Sequence, residues 1–210
     1  MALTKVIPLS FKSFTSTSFT QSGEQNEVTV SVTRALSRLC TVFVSLFRPS
    51  GSPSVNQECN YFPSPIGQMN SIGQTDYPFL SDDVIADSKA PEYQMVINGN
   101  RFPTAPVGGF AESYYRMNTA LGFGGQTSHS LPLGEASYAT DNYQIIESFE
   151  KINGSELSGY NIRGGSQLNI NIKGLVIPNM LQTDKISKIF VLCQYSGLIE
   201  LSAQGVVVLE

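Results

Sequence analysis

The clearest pattern in this chain is strict alternation of aliphatic and polar residues. Val28, Val30 and Val32 alternate with Thr29, Ser31 and Thr33, and Leu168, Ile170 and Ile172 alternate with Asn169, Asn171 and Lys173. Successive side chains of a strand point to opposite faces, so each run predicts a half-buried strand with its aliphatic residues on one side. The run 39–47, LCTVFVSLF, is apolar at nearly every position and predicts a strand covered on both faces. Residues 93–97 return to alternation, and Asn98-Gly99-Asn100 is the tight-turn signal of a hairpin whose return leg is 101–106. Residues 143–149 read as another strand, and 5–19, rich in Ser, Thr and Phe, as one or two irregular ones. The closing stretch 185–210 reads as three short strands, 189–195, 198–201 and 206–209, broken at Ser196-Gly197 and again at Ala203-Gln204-Gly205.

One segment has a helical period instead. In 110–121, FAESYYRMNTAL, the residues Phe110, Tyr114, Met117 and Leu121 fall at i, i+4, i+7 and i+11, one apolar stripe, and Gly122 follows as a stop signal. Residues 48–92 form an irregular loop with Pro49, Pro53, Pro63, Pro65 and Pro78 and turn chemistry throughout. With about eight to ten strands, one helix and no repeat at a solenoid period, we expect an all-β, two-sheet jelly-roll sandwich. The expected layout is a single domain over 1–210 with the helix carried in a long inserted excursion.

Composition narrows the function classes. The chain has 210 residues, a formal net charge of -4 and only 14% charged residues. Ser, Thr, Asn and Gln supply most of its polarity. Acidic balance argues against phosphate neutralisation, because nucleic-acid affinity rests on Lys and Arg displacing counterions. Cys40, Cys59 and Cys193 show no metal-ligand spacing, and the apolar surroundings of Cys40 and Cys193 predict small buried hydrophobes in a reducing compartment. No apolar run approaches the roughly 20 residues of a membrane span. The segment MALTKVIPLSFKS lacks the apolar centre of a secretion signal, so synthesis in the cell interior is expected.

Candidate chemistry is sparse. Asp82, Asp83 and Asp87 lack the Gly and terminal Glu of a calcium loop, and Asn153-Gly154-Ser155 is a single sequon. The GFGG of 122–125 follows a helix and does not lead from a strand into one, so it is no phosphate cradle. His129, the one histidine, sits between Ser128 and Ser130 and reads as a polar loop residue. Glu147 and Glu150 could be paired as acid and base, but nothing in the sequence sets their separation, and strand-edge solubility is the simpler account. We expect no catalytic residues, no cofactor and no metal.

Four segments carry a family resemblance. YQMVINGNRFPTAP, AESYYRMNTALG, GYNIRGGSQLNINIKGL and IFVLCQYSGLIELSAQGVVVLE are similar, in order and spacing, to the C-terminal module of viral major capsid proteins of the double jelly-roll lineage, the virophage and Polinton-like type. The earlier VTRALSRLCTVFVSLF resembles the first strands of the same module, with Arg34 and Arg38 in a connecting turn. The resemblance implies a structural shell protein of the virion. It would self-assemble into trimeric capsomers, with copies of itself and other capsid proteins as partners and no nucleic-acid contact of its own. A full double jelly-roll protein is about twice this long, which leaves open the second half of a larger protein, a single jelly-roll capsid protein or a domesticated remnant. Subunit contacts are expected at Arg34, Arg38, Phe110, Tyr114 and Tyr115; if Arg34 and Arg38 lie on a helical turn, both face one side. A carbohydrate-binding module on the same sandwich is the alternative, since jelly rolls host lectins.

Overall fold

Alternation becomes architecture in the sheet formed by β2 (Glu27–Val32), β7 (Leu168–Lys173), β4 (Glu92–Ile97) and β5 (Asn100–Val107), hydrogen-bonded in that order. The register sets Val30 beside Ile170 and Ile170 beside Met95, with Val32, Leu168 and Ile97 in the next row. All six are buried to 2% exposure or less. The opposite face of the same strands is a ladder of small polar side chains. There Thr29 Oγ1 donates to Asn171 Oδ1 at 3.0 Å and Ser31 Oγ to Asn169 Oδ1 at 2.7 Å, and Lys173 pairs with Glu27 at 3.3 Å.

In this computed structural model, residues 7–21, 25–47, 91–122, 138, 143–150, 158–163, 167–175, 186–202 and 205–209 are described. Expectations for 48–90, Cys59, Asp82, Asp83, Asp87, His129, residues 123–125 of the GFGG and the Asn153 sequon lie outside them.

The second sheet has the order β1 (Ile7–Thr20), β8 (Lys188–Ser202), β3 (Leu39–Phe47), β6 (Ile145–Ser148), with β9 (Gly205–Leu209) added on β8. Val42, Val44 and Leu46 of β3 lie opposite Cys193, Val191 and Ile189 of β8, and these six form the facing wall of the core. As anticipated, β3 is covered on both sides, and Cys40 and Cys193 are buried free thiols. The chain crosses between the sheets at every step except the hairpins β4-β5 and β8-β9, with β1, β3, β6, β8 and β9 in one sheet, β2, β4, β5 and β7 in the other, and all pairs antiparallel. This is the jelly-roll path of two interlocked Greek keys.

The hairpin β4-β5 turns at Asn98 and Gly99, both at positive φ (53° and 79°), as its asparagine-glycine signal requires. Beyond it the register shifts between Tyr93 and Met95, and Gln94 Nε2 donates to the carbonyls of Pro103 and Thr104, both at 3.1 Å, patching the bulge. α1 (Phe110–Ala120) forms where its apolar stripe predicts, with Phe110, Ser113 and Met117 buried, Tyr114 half-buried and Leu121 at the exposed end.

Two strands differ from expectation. The Ser, Thr and Phe run 7–20 is one regular strand, paired residue by residue with β8 from Ile7↔Leu201 to Thr20↔Lys188. The break expected at Ser196-Gly197 does not occur, and β8 runs through both residues. Gly197 faces Phe11 across the ladder, and a Cβ there would stand 2.4 Å from the phenyl ring. The glycine serves close packing within a strand and does not mark a turn. Gly197→Ala should lower the unfolding free energy by about 1–3 kcal/mol through overpacking. In a denaturant-unfolding double-mutant cycle with Phe11→Ala, most of that loss should vanish.

Candidate functional site

The described polar groups converge at one place under α1. Glu147 on β6 is directly opposite Val42, an inward-facing position, so its carboxylate points to the interior. Arg116 of α1 reaches it with Nη1 at 3.1 and 3.4 Å from the two carboxylate oxygens, and the Tyr93 hydroxyl donates to Oε2 at 3.4 Å. Arg116 Nε also donates to Glu112 one helical turn earlier, at 3.0 Å. Burial holds the Glu147 carboxyl above its ordinary range despite the opposing pull of Arg116 and the Tyr93 hydrogen bond. Burial, aided by the Glu147 charge, also pushes the Tyr93 phenol up. The cluster ties α1 to both sheets, since Tyr93 belongs to β4 and Glu147 to β6.

Glu147 is therefore no solubilising edge residue. A carboxylate at 8% exposure in this sheet requires the partners it has. Glu150 does not join it; its Oε1 accepts from Lys12 Nζ of β1 at 2.8 Å. The two thiols are equally inert as nucleophiles. Burial raises the Cys193 thiol to about 12, and desolvation also raises Cys40, whose Sγ lies 3.4 Å from the Ser158 carbonyl. Among the described residues, no group of three or more His, Cys, Asp or Glu could hold a metal ion.

The expected contact residues separate. Phe110 is 4% exposed and packs edge-on against Tyr143, with centroids 5.3 Å apart, so it belongs to the core and not to a contact surface. Tyr114 is half-buried against Tyr138, whereas Tyr115 is 68% exposed. Arg34 is exposed and Arg38 half-buried in the link between β2 and β3. That link contains no helical turn, so spacing does not place the two guanidinium groups on one side. Instead the Arg38 carbonyl accepts from Ser196 N of β8 at 3.0 Å.

A larger apolar surface lies where sequence spacing does not point. Beyond Gly197, the core-facing side of β8 continues as Ile199 and Leu201, flanked by Leu9 of β1 and by Val206 and Val208 of β9. Leu9 is 47%, Val206 64% and Val208 53% exposed, so this three-stranded arm leaves the cover of the β2-β7-β4-β5 sheet. The outer face of the same sheet bears Phe14, 53% exposed, and half-buried Phe43, Phe190 and Leu192. The outer face of the partner sheet is the Ser, Thr and Asn ladder. These aromatic and aliphatic residues share that face with Lys12, Ser16, Ser18 and Thr20, so it mixes apolar and polar groups, whereas the β2-β7 ladder is polar.

The fold defines an antiparallel, two-sheet jelly-roll protein. No protein-family model and no curated protein sequence matches the chain. Among solved structures it is similar to PBCV-1 VP54, as fitted into a reconstruction of the virophage Sputnik, at TM-score 0.49 and 10% identity over 99% of this chain and 52% of that one. It is similar also to a chain of the PBCV-1 virus capsid, at TM-score 0.49 and 11% identity over 98% of this chain and 51% of that one. The chain spans about half the length of either. Among the described residues no helix is long and apolar enough to cross a membrane.

Arg116→Met should leave Glu147 without its cation and cost about 2–3 kcal/mol at pH 7, below the figure for a fully buried pair because Arg116 is partly exposed. The folded Glu147 carboxyl holds its proton to higher pH than the unfolded one. Its contribution to stability is thus complete below about pH 4.5 and is eroded as pH rises through the folded value. The penalty of Arg116→Met should therefore shrink as pH is lowered from 7 towards 4.5, and urea unfolding across that range measures it.

Proposed function

We propose that this chain is a structural shell subunit that assembles with copies of itself into trimeric capsomers, and through them into the capsid of a virion. The observation that carries this reading is the contrast between the polar ladder on one sheet and the exposed apolar arm that extends the other. One side ends in a Ser, Thr and Asn ladder suited to water, and the other extends into an arm with Leu9, Val206 and Val208 exposed. Contiguous apolar surface of this kind marks contacts between proteins. A single arm offers a modest interface, and closed symmetry repeats it around a ring. The similarity of the chain's segments to double jelly-roll capsid proteins supports the same assignment.

On this reading the interior of the sandwich is packing and not a ligand cavity. Aliphatic residues of both sheets meet there, with Val30, Ile170 and Met95 on one side and Val44, Val191 and Ile189 on the other. No reaction is assigned to the chain. Tyr115 on α1 and Arg34 before β3 are exposed groups for the rim of a subunit contact, with the arm at its centre.

Light scattering of the purified protein should give the mass of a trimer, and negative-stain micrographs should show threefold particles. Val208→Asp should weaken that association at least tenfold while moving the folding stability by about 0.5 kcal/mol or less, because Val208 is exposed in the arm. A protein that stays monomeric across concentration and salt would remove the reading.

A further inference from the structure

The outer strands of the two sheets are not equally protected against pairing with another chain. β5 carries Pro103 and Pro106, which lack the N–H that a neighbour would bond. β6 has four residues with α1 packed beside it, and β2 has six. β1 is 14 residues long, holds unbroken register with β8, has Lys12 as its one charged residue, and carries its one proline, Pro8, beside its first residue and outside the stretch 9–20. Among the described residues its other edge pairs with no strand. Alternate residues of an outer strand direct N–H and C=O away from the sheet, which makes a long edge of this kind a template for strand addition.

We propose that the outer edge of β1 pairs antiparallel with β1 of a second copy of this chain, about a two-fold axis at Phe14. A two-fold perpendicular to the sheet keeps inward residues opposite inward ones. Centred on Phe14, it sets Leu9 opposite Phe19 of the second copy, Phe11 opposite Thr17, Lys12 opposite Ser16 and Phe14 opposite itself. Three features favour this occupant and register. Phe14 is 53% exposed and gains an aromatic partner, Leu9 at 47% exposure gains Phe19, and the two Lys12 ammonium groups are kept out of line with each other. The pairing joins the β1-β8-β3-β6 sheets of two molecules into one continuous sheet and makes an isologous contact. It goes beyond the shell reading: a two-fold contact cannot close a trimer, and in a shell it would link one capsomer to the next.

The test uses the full chain in sedimentation equilibrium and in cysteine cross-linking. Phe14→Lys sets two ammonium groups opposite each other on an exposed site, and it should weaken two-fold association at least tenfold with the thermal unfolding curve unchanged. Directly opposed Cβ atoms on paired strands lie about 4.5–5.5 Å apart, so Phe14→Cys should cross-link to itself on mild oxidation. Ser16→Cys, whose opposite residue is Lys12, should not rise above the unsubstituted chain. Association of Phe14→Lys equal to wild type, or equal cross-linking of the two cysteine variants, would overturn the proposal. Dimers linked through Phe14→Cys without threefold particles would sink the capsomer reading and support this one. Threefold particles that persist in Phe14→Lys while their further association is lost support both.

Discussion

The structure depends on one long strand with two different neighbours along the same side. β8 hydrogen-bonds to β1 along its whole length, while its other side is taken first by β3 and then by β9. The side chains that β8 sends inward therefore begin as core, with Ile189, Val191, Cys193 and Tyr195 buried, and end as Ile199 and Leu201 on the arm. Core and projecting surface are one β-strand face. A change that broke the strand at its middle would disturb both, which is why the close seat of Gly197 on Phe11 matters to more than local packing.

A second constraint is the carboxylate of Glu147. Its place on β6 turns it inward, and an unpaired charge there would be expensive. Arg116 compensates from the helix and Tyr93 from the opposite sheet, so three elements far apart in the chain are held together by one charge. The arrangement costs desolvation and returns definition: α1 has few ways to sit that still bring Arg116 within 3.1 Å of Glu147.

The surfaces follow from strand chemistry. Thr29 and Ser31 satisfy Asn171 and Asn169 across the outer face of the β2-β7-β4-β5 sheet, with Glu27 and Lys173 paired at one end. The opposite outer face and the arm keep Phe and Val in contact with water. An exposed apolar arm on a low-charge protein gives it a preferred way to meet another molecule, and that arm is the physical ground of the assembly reading.

Much of this was legible from local pattern. Alternation at 28–32 and 168–172 assigned both strands and their buried faces, the asparagine-glycine turn closed its hairpin, and the stripe beginning at Phe110 set the helix within one residue of its end. Those signals are local because a strand or helix needs only its own side chains to show which face is apolar. What tertiary structure decided were the features set by distant partners. Gly197 reads as a break until Phe11 is seen against it, and Glu147 reads as a surface acid until Arg116 and Tyr93, 31 and 54 residues away, surround it. Phe110 and Tyr115 look equally available in the sequence, and only packing on Tyr143 buries the first and leaves the second in solvent. Periodicity states which residues share a face, but only the folded chain determines whether that face meets core, water or another molecule.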